Sequence, residues 1–243
     1  MLASCRRPVG PLSALAALLA SALLPSVAFA GPDWDEGPND AGSTLGTAQT
    51  ITTTGSLTSV TGKLGGPGLV AGDFQDCFLI QISDPTTFSV TTGPGTGGAA
   101  GFNPMLFLFR VDMINGQMVA KAVMANNDLQ PGNPQAGLRQ QTNDGSGAFV
   151  NQAGLYLLAI SGFGSQPVNS FGELLFNQAF LEPGVIAGPN QSSQMNDYTL
   201  AGWAQDGSFG TYVLGVQGVS GVPAPGAAAL LGLAGLAGRR RRR

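Results

Sequence analysis

Histidine is absent from this chain, and only two of its 243 residues are cysteine, Cys5 and Cys77. The first absence removes Ser-His-Asp and Cys-His catalysis and most zinc sites, each of which needs an imidazole as base or ligand. The second leaves no internal disulfide once Cys5 departs with the leader described below. Cys77 lies within an apolar run, which predicts a buried thiol. Charge is sparse, at 10% Asp, Glu, Lys and Arg, and two tryptophans and three tyrosines leave little for the aromatic platforms that glycan-degrading enzymes present. No helix-period stretch of length occurs outside the two ends.

The ends are the most explicit part of the sequence. Arg6 and Arg7 precede an apolar stretch at 12–24 and the small-residue site Ala28-Phe29-Ala30. That order predicts a helical secretory signal peptide over 1–30, cleaved by signal peptidase at the site marked by Ala28 and Ala30, with a mature start near Gly31. Leu2-Ala3-Ser4-Cys5 precedes the apolar stretch instead of following it, which argues against lipidation. At the other end, Pro223-Ala224-Pro225 leads into an apolar Gly/Ala/Leu run at 226–238 and then Arg239, Arg240, Arg241, Arg242 and Arg243. A helix over that run spans roughly 20 Å, short of the roughly 30 Å hydrocarbon core, and the arginines hold its end on the cytoplasmic side. A short, glycine-broken transmembrane helix fits a temporary hold better than a plain tail anchor. The proline pair keeps the segment before it extended and accessible.

This tripartite tail, residues 222–243, resembles the PEP-CTERM sorting signal, with Ala224 standing where that family usually has glutamate. The resemblance implies an exosortase-type enzyme as a partner, transient residence in the inner membrane, and delivery to the cell surface or extracellular matrix. No Leu-Pro-x-Thr-Gly motif is present to suggest a Gram-positive sortase.

Between the ends the charge balance changes. Lys63, Arg110, Lys121 and Arg139 face all 14 acidic residues, four against fourteen, so a whole-chain net of −3 conceals about −10 in this part. That balance disfavours nucleic acid as a partner and leaves divalent cations open. Residues 31–46 read as an acidic leader with Asp33, Asp35 and Glu36 in solvent; 47–218 as the folded domain; 219–221 as a linker.

Strand-like runs between Gly/Pro/Asn-rich breaks predict an all-β domain, with strands near 47–54, 77–82, 86–92, 105–111, 118–124, 155–161, 198–203 and 211–217. Phe78, Ile80 and Ile82 alternate with Cys77, Leu79 and Gln81, so the first set is predicted to face the core. The Asp84-Pro85 turn suggests an antiparallel hairpin to Phe88 and Val90. Asn115-Gly116 is the strongest hairpin signal. An internal echo, Gly-x-Tyr-x-Leu-x-(Ile/Val)-x-Gly, at 154–162 and 210–218 predicts two core strands with Tyr156, Leu158, Ile160 and Tyr212, Leu214, Val216 inward. Eight strands at this spacing fit a two-sheet antiparallel sandwich of jelly-roll type better than a closed barrel.

Asp73-Phe74-Gln75-Asp76-Cys77-Phe78, Phe88-Ser89-Val90, the Asn103-Pro104 run to Phe109, Asn126-Asn127-Asp128 and the Gly154-Leu155-Tyr156 run to Ile160 follow one another as in bacterial pre-peptidase C-terminal domains. The chain is similar to those secreted β-sandwich modules over about 40–218, with 166–196 as an insertion. In that family the module usually accompanies an enzyme, whereas here it fills the whole interior of the chain, so the resemblance implies no catalytic partner.

For chemistry, calcium is the best match. A hard cation takes several oxygen ligands from loops rich in Asp and Asn, and Asp73 with Asp76, and Asn126 and Asn127 with Asp128, are two such clusters. The resemblance adds a little, because related secreted modules sometimes bind calcium with residues at these loop positions. Neither cluster has EF-hand spacing, and capping a turn is the more ordinary role for both. The Gly-rich loop at 93–101 lacks the Lys-Ser/Thr of a phosphate-binding loop. The sequence therefore predicts a non-enzymatic, exported module that binds an extracellular glycan or protein, or serves structurally. A calcium-stabilised carbohydrate-binding module and a divergent secreted hydrolase stand as alternatives.

Overall fold

The computed structural model describes residues 33–65, 72–94, 97–191, 197–204 and 206–223. Ala28 and Ala30 of the predicted signal peptide lie outside them, as do Ala224, Pro225 and Arg239, Arg240, Arg241, Arg242 and Arg243 of the predicted sorting signal; Pro223 is described and exposed. Among the described residues no helix is long and apolar enough to cross a membrane.

In chain order the strands are β1 (Asp33–Asp35), β2 (Gln49–Thr50), β3 (Ser59–Leu64), β4 (Gln75–Ile82), β5 (Ser89–Thr91), β6 (Ala99–Ala100) and β7 (Pro104–Ile114). They continue as β8 (Gln117–Asn126), β9 (Gly137–Arg139), β10 (Gly154–Gly162), β11 (Gln166–Val168), β12 (Gly202–Ala204), β13 (Gly210–Gln217) and β14 (Val219–Ser220). Two six-stranded sheets pack on one another. The first runs β1-β3-β13-β5-β9 with β6 also on β13; the second runs β14-β4-β10-β7-β8 with β2 also on β4. A separate ribbon joins β11 to β12.

The core between the sheets follows from the period-2 pattern. Phe78, Ile80 and Ile82 of β4 and Tyr156, Leu158 and Ile160 of β10 meet Tyr212, Leu214 and Val216 of β13 in one buried cluster. The two echo strands thus sit in opposite sheets and face each other. The β7–β8 hairpin closes on Asn115 (φ 50°) and Gly116 (φ 79°), the left-handed pair that a two-residue primed turn requires. Its register shifts after Leu108, where Val123 is the extra residue of a bulge.

Several expectations are corrected. Asp84-Pro85 is not a hairpin turn: β4 and β5 belong to different sheets, so this turn crosses the sandwich. Phe88 and Val90 are buried either way, and alternation alone does not distinguish a neighbouring strand from one across the core. Of 47–54 only Gln49–Thr50 is strand, and it pairs with β4 in parallel, as β1 does with β3. The sheets are therefore not wholly antiparallel. The strand predicted at 198–203 is reduced to Gly202–Ala204, with Thr199 making a bridge to Lys121.

The opposite face of the second sheet is a second core. Cys77, Phe107, Phe109, Leu157 and Ala159 are capped by Leu175, Phe176, Phe180 and Ala187. Phe107 has its ring 5.5 Å from Phe176, 5.7 Å from Phe180 and 5.5 Å from Trp203. The described part of the segment read as an insertion, 166–191, is therefore a lid on this sheet. Cys77, free and buried as predicted, lies beneath it.

Candidate cation site

Residues 33–46 are not a solvated leader. β1 pairs along β3, Trp34 Nε1 donates to Gln49 Oε1 at 2.6 Å, and Gln49 Nε2 donates to the Glu36 carbonyl at 2.9 Å. The Cys77 amide donates to the Gly42 carbonyl at 2.8 Å, so the strap is also tied to β4. These ties carry Glu36 to 8% exposure. Its Oε1 accepts from the Ala41 amide at 3.0 Å and its Oε2 from the Lys63 amide at 2.9 Å.

Asp76 is the centre of the site. It points from β4 into the space between the sheets and is completely buried. Its Oδ2 accepts from the Tyr212 hydroxyl at 2.6 Å, while Oδ1, also buried, has no hydrogen-bond partner among the described residues. One carboxylate oxygen each from Glu36, Asp40 and Asp76 lie within 4.8 Å of one another. Calcium holds its oxygens at about 2.4 Å, so two ligands on opposite sides of one ion are about 4.8 Å apart. The three carboxylates can therefore share one calcium-sized cation.

A glycine makes the geometry fit. Gly62 of β3 is the register partner of Tyr212, and a Cβ there would collide with the Tyr212 hydroxyl and lie 2.5 Å from Glu36 Oε2. A shallow opening of about 270 Å³ adjoins the cluster, lined by Asp40, Gly42 and Asp73 among others. Of the three carboxylates, Asp40 is the one that lines it. Asp73 borders it, with Oδ2 accepting from the Gly65 amide at 2.9 Å.

Electrostatics mark the cluster as short of positive charge. The Asp76 carboxyl is pushed up to about 9, first by burial and then by the charge of Glu36, against the lowering effect of the Tyr212 hydrogen bond. Burial also raises Glu36, opposed by the Lys63 and Ala41 amides, and burial raises Asp73. Tyr212 is driven well above its ordinary range by burial, then by the Asp76 and Glu36 charges. A buried carboxylate beside others is costly unless a cation or a proton neutralises it.

Of the predicted residues, Asp76 is a direct member of the set and Asp73 flanks it. Asn126, Asn127 and Asp128 are elsewhere. Asp76, Ile160, Leu106 and Asn126 form one row across β4, β10, β7 and β8, three strand spacings or about 14 Å from end to end. The Asn126 amide is spent on structure: Nδ2 donates to the Asp128 and Val185 carbonyls, and Oδ1 accepts from the Gly137 amide at 2.7 Å. Asn127 Oδ1 and Asp128 Oδ1 are buried without hydrogen-bond partners among the described residues, and burial raises the Asp128 carboxyl. One carboxylate there does not make a comparable ligand set. Glu36, Asp40, Tyr212 and Gly62 were not assigned to a site from sequence; Glu36 was read as solvated and Tyr212 as core alone. Their signals were the acidic i, i+4 pair Glu36 and Asp40, and the polar hydroxyl on an inward-facing Tyr212.

Nucleophilic chemistry gains nothing at Cys77. Complete burial, then the charge of Asp76, drives its thiol well above the usual range, so it holds its proton. No family model matches the chain, and neither a curated protein nor a solved structure is significantly similar to it.

Proposed function

We propose that this chain is an exported, non-catalytic β-sandwich module of jelly-roll type, with a structural or binding role at the cell surface or in the extracellular matrix, and that calcium locks its N-terminal strap. The observation that carries the calcium reading is Asp76, a fully buried carboxyl with one unpartnered oxygen, set within one ion's reach of Glu36 and Asp40. Glu36 and Asp40 come from the strap, Asp76 from the second sheet, and Tyr212 from the first. An ion there would join the chain's N-terminal arm to both sheets and release the protons that burial otherwise retains.

Strand order supports the jelly-roll assignment. Leaving aside the six shortest or peripheral pieces, β3, β4, β5, β7, β8, β9, β10 and β13 run as first, eighth, third and sixth in one sheet and second, seventh, fourth and fifth in the other. That is the interleaving of a double Greek key. The export reading rests on the sequence of the two ends, where a cleavable leader and a proline, apolar and arginine tail accompany a domain of net charge about −10.

Two experiments test it. Titration of calcium into the chelator-stripped protein is expected to give saturable binding of one ion, lost when Asp76 is replaced. Mass spectrometry of the native protein is expected to find neither residues 1–30 nor the Arg239 to Arg243 tail; an intact tail would overturn the sorting part.

A further inference from the structure

We infer that the cavity beside the β7–β8 hairpin binds a carboxylate-bearing sugar unit, a uronate set among neutral sugars. This gives the proposed binding role a site and a ligand class; it rests on that reading and not on calcium. Arg110 and Lys121 are direct cross-strand partners on β7 and β8, and Tyr156 of β10 is next in the same row. Like charges directly opposite on a sheet are unfavourable. In a domain holding four cations against fourteen anions, two of the four are nevertheless placed side by side at one cavity.

The cavity has a volume of about 350 Å³, within the range of small-ligand sites. Arg110, Lys121, Asn151, Tyr156, Phe149 and Tyr198 line it, and among the described residues no carboxylate does. Asp112 answers only Arg110, through a fork of 2.9 and 3.0 Å. The Lys121 ammonium makes no ion pair among the described residues. One positive charge is therefore left at the cavity, which suits one carboxylate. A dense polyanion would meet the repulsion of the whole domain.

The uncharged lining fits a sugar ring. Phe149 is 48% exposed and lines the cavity, and with Tyr198 it offers aromatic surface to the C–H face of a pyranose. Asn151 adds an amide able to donate and accept. Asp76 lies in the row of Ile160, four residues along β10 from the row of Tyr156, about 13 Å away at strand rise. The two sites are thus separate.

The test is calorimetric titration of the full chain with hyaluronan tetrasaccharide, which alternates glucuronate with N-acetylglucosamine, and with chitotetraose as its neutral counterpart. The uronate oligosaccharide is expected to bind equally in calcium and in chelator, with chitotetraose weaker by about tenfold or more, the worth of one charge-assisted hydrogen bond. Lys121→Met and Phe149→Ala should each lower uronate affinity by about that factor with the melting temperature kept, while Arg139→Met leaves it unchanged. Absence of uronate binding, equal binding of chitotetraose, or an Arg139→Met loss equal to that of Lys121→Met would each overturn the proposal. Failure of the calcium reading would instead show in the calcium titration, leaving this result untouched.

Discussion

Asp76 and Tyr212 are joined across the sandwich: the phenol on the first sheet donates to the carboxyl on the second at 2.6 Å, and both groups are buried. The bond satisfies one carboxyl oxygen and leaves the other buried without a hydrogen-bond partner among the described residues, in a side chain within one ion's reach of Glu36 and Asp40.

Asp76→Asn separates the structural from the ion-binding role of this residue. Without calcium, the carboxyl with its pKa near 9 already holds a proton at neutral pH, so the neutral amide should leave the melting temperature of the chelator-stripped protein unchanged or raise it. Stabilisation by calcium should vanish. Differential scanning calorimetry with and without the ion checks both halves.

Stability without calcium should fall as pH rises. Asp76 has a folded pKa of about 9 against an unfolded value of 3.8, so between them the folded state binds more protons than the unfolded one. The derivative of stability with pH is then negative. Glu36 and Asp73, also raised, add to the lower part of that window. Melting temperatures from pH 4.5 to 8.5 should decline in chelator and flatten in saturating calcium, and calcium affinity should rise with pH.

Gly62→Ala tests the close approach of Tyr212 and Glu36. The added methyl meets the Tyr212 hydroxyl and Glu36 Oε2, so one of them must move, with a cost of about 1–3 kcal/mol typical of overpacking. Calcium affinity should fall more than in Gly46→Ala, where a Cβ meets nothing within 4 Å. Comparing the two variants by calorimetry isolates the steric effect.

Phe180→Ala tests whether 166–191 belongs to the fold. Phe180 is fully buried against Phe107, and its loss should cost about 3–5 kcal/mol, measured by urea denaturation. A surface insertion would lose almost nothing.

Most of the inner core was legible because it rests on period-2 alternation that survives in β4, β10 and β13, and the Asn115-Gly116 turn was legible because only a left-handed pair closes such a hairpin. The second core was not. Phe176 and Phe180 lie in irregular chain and a single 3-10 turn at Gln178–Leu181, where apolar residues have no period to betray them. Strand β3 was obscured by Gly62 and Lys63 in its second half, both poor strand residues; the glycine there serves the approach of Tyr212 and Glu36. One of the three carboxylates of the set, Asp76, was visible because it is close in sequence to Asp73, which flanks the site. Glu36 and Asp40 are brought to Asp76 by long-range contacts that local pattern does not encode, among them the parallel pairing of β1 with β3 and the Gly42 to Cys77 hydrogen bond.

The most direct test of a calcium-locked strap is the melting temperature of the protein in chelator and in calcium at pH 7. An ion that binds only the native state stabilises it by about 2.7 kcal/mol at a hundredfold excess over Kd, roughly 5–10 °C for a domain of this size. A rise of that order, abolished by Asp76→Asn, is the predicted result; equal melting temperatures in calcium and chelator would contradict the account.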